Sequence, residues 1–272
     1  LYSKGFYYIW RILTVINLFP KIDILFTCNK DDINIFNNGF SKKVEKITGL
    51  KVFLYRKIIN VNSDSIDQVI NNNKNSTNEE NSEKNKYIIF ADAPIDHLDR
   101  VSREGEVSSE KLQKYYLKVF EALNNISKEF KKKVIITVHP NKIKNPGKEM
   151  KIFENSENFI ISSKRTIEVI DKAEVFVFTV TSAVAHALIF KKKIINLNSK
   201  LLGIHFSEVG GRYVKYLNLL SINIDEKNDL PKNYDFLMIE SIKKYESFIK
   251  NRLSDGSNIP SYKKITQEIL KF

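Results

Sequence analysis

The 272 residues include one cysteine, nine glycines and four histidines, and no apolar run approaches the ~20 residues that cross a bilayer. Each shortage excludes something. Cys28 alone closes no internal disulfide and builds no thiolate metal cluster, which fits a reducing compartment. The glycines nowhere form Gly-x-Gly-x-x-Gly or a Walker loop, which disfavours a hydride-transfer enzyme or a P-loop NTPase. Residues 1–19 are aromatic-rich, but Lys4, Arg11 and Asn17 interrupt them and no small-residue cleavage site follows, so they make a poor signal peptide. Arginine is scarce as well, at seven of the 44 basic residues. The net charge of +12 therefore comes from lysines spread along an Asn- and Ile-rich chain, the usage of an AT-rich genome, and not from one nucleic-acid stripe. No nucleic-acid partner is expected. Attraction to anionic lipid or to a phosphorylated substrate is the alternative reading of the charge. The expected location is cytoplasmic, with peripheral contact to the inner face of the membrane as its variant.

What is present is alternating strand and helix material. Phe6 to Leu18 has apolar residues at helical spacing and ends at Pro20. Residues 22–27 and 51–61 read as strands, with helical turns over 31–36 and 40–47 between them. Residues 71–86 contain no large apolar side chain and are expected to be a flexible linker. Beyond them come a strand at 87–90, a polar loop, and an amphipathic helix from Ser109 to about Lys131 that Ser108 or Ser109 can cap. Strands near 134–138, 159–161, 175–178, 194–197 and 221–224 follow, then helices over 234–253 and 261–272. Strands separated by helix-length segments imply a parallel sheet with right-handed crossovers. The expected division is a partial N-terminal Rossmann-like domain over 1–70, a linker over 71–86, and a nucleotide-binding domain over 87–272. The chain opens on Leu1 and not on Met, so the first domain is expected to be incomplete.

Three polar clusters fall at predicted strand ends, where an open parallel sheet binds its ligands. His139-Pro140-Asn141 ends one strand; proline cannot continue the ladder and holds His139 extended, so the imidazole can donate to a phosphate oxygen. Thr179-Val-Thr-Ser182 ends another, and small hydroxyl residues before a helix suit an anion. Each alone is equally a loop cap. Forty-three residues apart and on one predicted sheet edge, they favour together a nucleotide phosphate site. The third cluster is Asp92, Asp96, His97 and Asp99, where a carboxylate beside a histidine suits a general base, with Asp92 at the strand end the first choice; a metal site and solvated or capping groups are the alternatives. His186 reads as a packed helix residue, and the segment from His205 to Gly210-Gly211-Arg212 as a substrate loop.

The order of these motifs resembles bacterial surface-carbohydrate biosynthesis proteins, the glycosyltransferase-like family behind capsule and lipopolysaccharide sugars. The resemblance is carried by Phe90-Ala-Asp92, His97-Leu-Asp99, Val138-His-Pro140, Thr179-Val-Thr-Ser182 and Lys192-Lys-Ile-Ile195, somewhat under half the chain. The His-Pro and Ser/Thr pair is also similar to bacterial GT-B sialyltransferases and polysialyltransferases, whose matching residues hold CMP. Their acidic N-terminal motif is not matched, since Asp31-Asp32 is followed by Ile33. The resemblance implies an α/β, GT-B-like fold of two Rossmann-like domains with parallel sheets. It implies transfer of a sugar from a nucleotide-sugar donor, with CMP favoured, to a glycan or lipid-linked acceptor, without a metal or other cofactor. The expected catalytic residues, Asp92, His97 and Asp99, are read from the polar cluster itself, since the base is not carried over from the sialyltransferases; the donor residues that the resemblance implies are His139, Pro140, Asn141, Thr179, Thr181 and Ser182. Two further functions stay open: an epimerase or polyol-phosphate transferase on the same scaffold, and a non-catalytic domain binding anionic glycan or membrane.

Overall fold

A computed structural model describes residues 22–29, 55–75, 84–93, 95, 98–139, 150–154, 156–226 and 229–271. The chain divides into two compact units, one drawn from residues 1–71 and 247–272 and the other from 72–246. The sequence placed 247–272 with the second unit, and contacts group it with the first. The helices expected over 6–18, 31–36 and 40–47 lie outside the described residues.

In the first unit, β1 (Ile22–Thr27) pairs in parallel with β2 (Tyr55–Asn60), and helix α1 (Asp64–Asn75) follows. Ser63 accepts from the Ile66 N–H, and Asp64 and Asp67 place negative charge in the first turn of α1. The start of the expected linker, 71–75, is therefore helical. Two buried polar side chains tie the end of the chain to this unit. Asn62 donates to the Ser257 and Ile259 carbonyls, at 3.1 and 3.0 Å, and accepts from Ser254 and the Asp255 N–H. Asp67 accepts the Ser261 N–H on both carboxylate oxygens at 2.9 Å and also the Ser261 hydroxyl. It thereby caps α10 (Ser261–Ile269), which has no side-chain cap of its own.

The second unit is a six-stranded, all-parallel sheet. Its strands are β3 (Tyr87–Ala91), β4 (Val134–Thr137), β5 (Phe159–Ser162), β6 (Ala173–Phe178), β7 (Lys193–Asn198) and β8 (Leu220–Asn223), in the order β5-β4-β3-β6-β7-β8. Counted from β3, that is the Rossmann order 3-2-1-4-5-6. Alternate residues (Ile88, Phe90, Val175, Val177, Ile195, Leu197) share one core with helix α3 (Ser109–Phe130). The residues between them, such as Ile89, Phe176, Phe178 and Ile194, are buried too. Both faces are thus covered, as the near-continuous apolar strands require. Helix α3 begins at Ser108, whose hydroxyl accepts from the Lys111 N–H, and ends where Lys131 turns left-handed at φ 53°.

Three helical segments depart from expectation. Residues 98–104, expected as part of a polar loop, form α2 (Leu98–Glu104). The expected substrate loop is helix α7 (Ile204–Leu217). The single helix expected over 234–253 is two, α8 (Tyr234–Ile242) and α9 (Tyr245–Arg252). The break follows Ser241, whose hydroxyl bonds back to the Leu237 carbonyl and across to the Asn218 carbonyl, a pattern that bends helices. Short segments α4 (Lys151–Glu154), α5 (Thr166–Val169) and α6 (Val184–Ile189) complete the unit. Among the described residues no helix is long and apolar enough to cross a membrane.

The cap from Asp67 generates a prediction. Asp67→Ala leaves the Ser261 N–H without its acceptor and should lower stability by about 1–3 kcal/mol. Urea unfolding measures the loss, and hydrogen exchange should show the Ser261 amide deprotected first. Unchanged exchange at Ser261 would show that the carboxylate does not hold the helix.

Candidate functional site

The registers bring three strand ends level. Ala91 pairs with Thr137 on one side and with Phe178 on the other, so Asp92, Val138 and Thr179 form the next row. Strand order reverses between β3 and β6, and ligands bind outside the carboxyl ends of the strands at such a switch point. Asp92 and Thr179 flank it.

Two neighbouring tyrosines of α3 reach these two ends. The Tyr115 hydroxyl lies 2.8 Å from Thr179 Oγ1, and the Tyr116 hydroxyl donates to both Asp92 carboxylate oxygens at 3.1 Å. Their rings meet edge to face at 5.2 Å. All four residues are buried, Asp92 at 3% exposure and Thr179 at 2%. Burial first, and the Asp92 charge second, raise the Tyr115 pKa above the ordinary tyrosine range, so its hydroxyl keeps its proton. Neither tyrosine was singled out as a site residue from sequence. Their positions in the buried stripe of α3 mark them only as core, although a buried hydroxyl needs a partner.

Beyond β6 the main chain is held from the opposite face. Asn196, buried in β7, donates to the Phe178 and Thr179 carbonyls at 3.3 and 3.0 Å and accepts from Ser221. Gly210 of α7 packs against the same point: a Cβ there would lie 2.5 Å from the Thr179 carbonyl oxygen. The polar residue inside the apolar run Lys193-Ile-Ile-Asn-Leu197 was the available signal for Asn196. Thr181 accepts the Ala183 N–H at 3.2 Å, a local turn bond, and Ser182 is exposed before α6.

His139 is half-buried, two residues past the end of β4. Val138 joins the α3 core, whereas Thr137 faces the other side and meets the Thr166 hydroxyl at 2.8 Å. Pro140, Asn141, Asp96 and His97 lie outside the described residues, and Asp99 is described only as a residue of α2. His186 is buried within α6, as its apolar surroundings suggested.

The Lys192-Lys-Ile-Ile195 motif belongs to the opposite end of the sheet. Lys192 donates to the Asp171 carbonyl at 2.8 Å and to Asn85 Oδ1 at 3.1 Å, at the amino ends of β6 and β3. Burial lowers its pKa, partly offset by Asp171. Lys132 and Lys193 flank Glu174 at 3.0 and 3.2 Å on the same end.

No family model matches the chain, and no curated protein does. Among solved structures, the wall teichoic acid polymerase TagF aligns with a TM-score of 0.50 and 16% identity, covering 92% of this chain and 60% of that one. The UDP-GlcNAc 2-epimerase of Methanocaldococcus jannaschii, solved with UDP-GlcNAc and UDP, aligns at 0.47 and 15%, covering 85% and 59%. The pneumococcal O-GlcNAc transferase GtfA aligns at 0.42 and 10%, covering 98% and 48%. The chain spans about three fifths of the length of the first two. At these identities the likeness concerns fold, and the fold is α/β with parallel, Rossmann-like sheets of the GT-B class.

The close approach at Gly210 is the test of this edge. Gly210→Ala drives a methyl group into the Thr179 carbonyl and should cost about 1–3 kcal/mol. Tyr116→Phe, which withdraws a buried donor bonded to both Asp92 oxygens, should cost a similar amount. Thermal unfolding of both variants reads the effect, and wild-type stability in either would show the edge to be loosely packed.

Proposed function

We propose that the chain is a GT-B glycosyltransferase of bacterial surface-glycan synthesis, and that its second unit holds the nucleotide-sugar donor at the carboxyl ends of β3, β4 and β6. One observation carries the reading: the reversal of strand order between β3 and β6, with Asp92 and Thr179 level on either side of it. His139, two residues past the end of β4, and the hydroxyls of Thr181 and Ser182 supply donors for phosphate oxygens, and Pro140 and Asn141 are proposed as donor-binding residues beside them. Thr179 is tied to Tyr115 and shapes the turn from within.

In the reaction, an acceptor hydroxyl oxygen attacks the anomeric carbon of the donor sugar. The bond from that carbon to the phosphate oxygen breaks, and the nucleotide leaves with the electron pair. Donors at His139 and the 181–182 turn stabilise the charge that builds on the phosphate. A base accepts the acceptor proton, and the candidates are Asp92, Asp99 and His97. The burial of Asp92 against Tyr116 favours a positioning role for that carboxylate and passes the proton to the segment that follows it. CMP is the nucleotide that the likeness to sialyltransferases favours, and the acceptor is a glycan or a lipid-linked glycan.

A thermal-shift panel of CMP, CDP, UDP and GDP tests the donor site. The cognate nucleotide at a hundred times its Kd should add about 2.7 kcal/mol, and silence from all four would remove the site. His139→Ala and the double change Thr181→Ala/Ser182→Ala should each weaken nucleotide binding about tenfold or more, because a hydrogen bond to a charged group is worth about 1.5–3 kcal/mol. Lost stability with unchanged affinity would mark both motifs as loop caps.

The base is assigned by turnover with a nucleotide-sugar. Loss of a general base costs about 10²–10⁴-fold in rate. Asp99→Asn should fall by that order, and Asp92→Asn should fall less while losing stability. A folded, stable Asp92→Asn with turnover reduced ten-thousandfold would return the role to Asp92.

A further inference from the structure

Arg100 lies on α2, just past the end of the central strand β3, and is 7% exposed. Its Nε donates to the Ile95 carbonyl and its Nη2 to the Gly105 carbonyl at 2.9 Å, so the guanidinium bridges the two ends of the 95–105 segment. The third nitrogen, Nη1, is buried as well and has no acceptor among the described residues. Among the described residues no carboxylate pairs with this cation. A buried charge normally has a partner of opposite sign, and a buried N–H normally has an acceptor; among the described residues Arg100 lacks the first and has the second only in part.

Two close approaches set α2 beside the hydroxyl turn. A Cβ on Gly203, the residue that opens α7, would lie 2.5 Å from the Glu104 side chain, so the end of α2 rests on the start of α7. Gly210, seven residues later and on the same helical face, rests against the Thr179 carbonyl. Seven residues of helix advance about 10 Å. Helix α7 therefore sets the end of α2 about 10 Å from the Thr179 carbonyl, at the start of the 179–182 turn.

We infer that Arg100 is an oxyanion-binding residue of the second unit, and that its Nη1 takes a phosphate or carboxylate oxygen of the ligand held at the 179–182 turn. The identity of that ligand rests on the donor site proposed above; the anion chemistry rests on Arg100 alone. Guanidinium suits the role because two of its nitrogens can stay fixed to main-chain carbonyls while the third meets the ligand, an arrangement that a single ammonium cannot reproduce.

Calorimetric titration of the full chain at fixed ionic strength tests this, with UDP, CMP and inorganic pyrophosphate as probes. Arg100→Gln should weaken binding of pyrophosphate and of the nucleotide that binds wild type by about tenfold or more. Arg100→Lys should lose a substantial part of that affinity despite its charge. Binding within twofold of wild type in a folded Arg100→Gln overturns the inference. Where Arg100→Gln does not fold, Arg100→Lys decides: unchanged pyrophosphate affinity overturns the inference, and a loss of about fivefold or more sustains it. Wild type that binds pyrophosphate through Arg100 but no nucleotide keeps the inference and removes only the donor reading. Nucleotide binding that is indifferent to Arg100 keeps the donor reading and removes the inference. Wild type that binds neither removes both.

Discussion

The pairing of β3 with both β4 and β6 is the constraint on which the second unit depends. Because Ala91 is level with Thr137 and Phe178 at once, the next residues of three strands must emerge together. A slip of one residue in either pairing would turn every side chain of the slipped strand to the other face. Asp92 and Thr179 would then leave Tyr116 and Tyr115, and the hydrogen bonds that join them inside the core would be lost. The apolar alternation of the strands and the tyrosine hydrogen bonds thus specify the same register, which is the kind of agreement between levels that selects one structure.

The parts of this architecture legible in the sequence are those where local periodicity and tertiary burial agree. Helix α3 shows its buried stripe from Tyr115 to Ile126 at helical spacing, and its capping serine is visible at position 108. The four inner strands of the second unit, β4, β3, β6 and β7, stand out because both their faces are buried, which leaves short, largely apolar runs rich in Val, Ile and Phe. The same reasoning fails on α2 and α7. Leu98–Glu104 is mostly polar, and Gly210-Gly211 interrupts α7 with residues that weaken a free helix; packing against neighbouring elements supplies what propensity lacks there. The attachment of 247–272 to the first unit was hidden for a different reason. It runs through Asn62 and Asp67 to residues nearly two hundred positions away, and single polar side chains carry no periodicity to read.

The candidate site was legible in outline and not in its internal order. The sequence marked strand ends, which is correct for Asp92, His139 and the 179–182 turn, but treated their polar residues as equals. Burial separates them. Asp92 and Thr179 are nearly inaccessible and are spent on tyrosines, whereas His139 is half-buried and Ser182 is exposed. Lys192 shows the same limit from the other side: a motif lysine in sequence is a group fastening the amino ends of β3 and β6 in space.

That separation bears on how a site of this kind works. A group that must meet a ligand keeps an atom uncommitted, as Arg100 keeps Nη1, while a group that must hold another in place gains from being buried and fully bonded, since a preorganised neighbour does not reorganise when charge develops. At this edge the two kinds alternate along the chain. Buried Thr179 precedes Thr181 and exposed Ser182, and Asn196 with Gly210 fixes the carbonyl from which that turn departs. Buried Asp92 likewise precedes the segment that Arg100 ties from Ile95 to Gly105. The buried member of each pair lies just past the end of a strand and its counterpart on the segment that follows, so the chemistry of the edge can change through those segments while the sheet and the two tyrosines of α3 stay as they are.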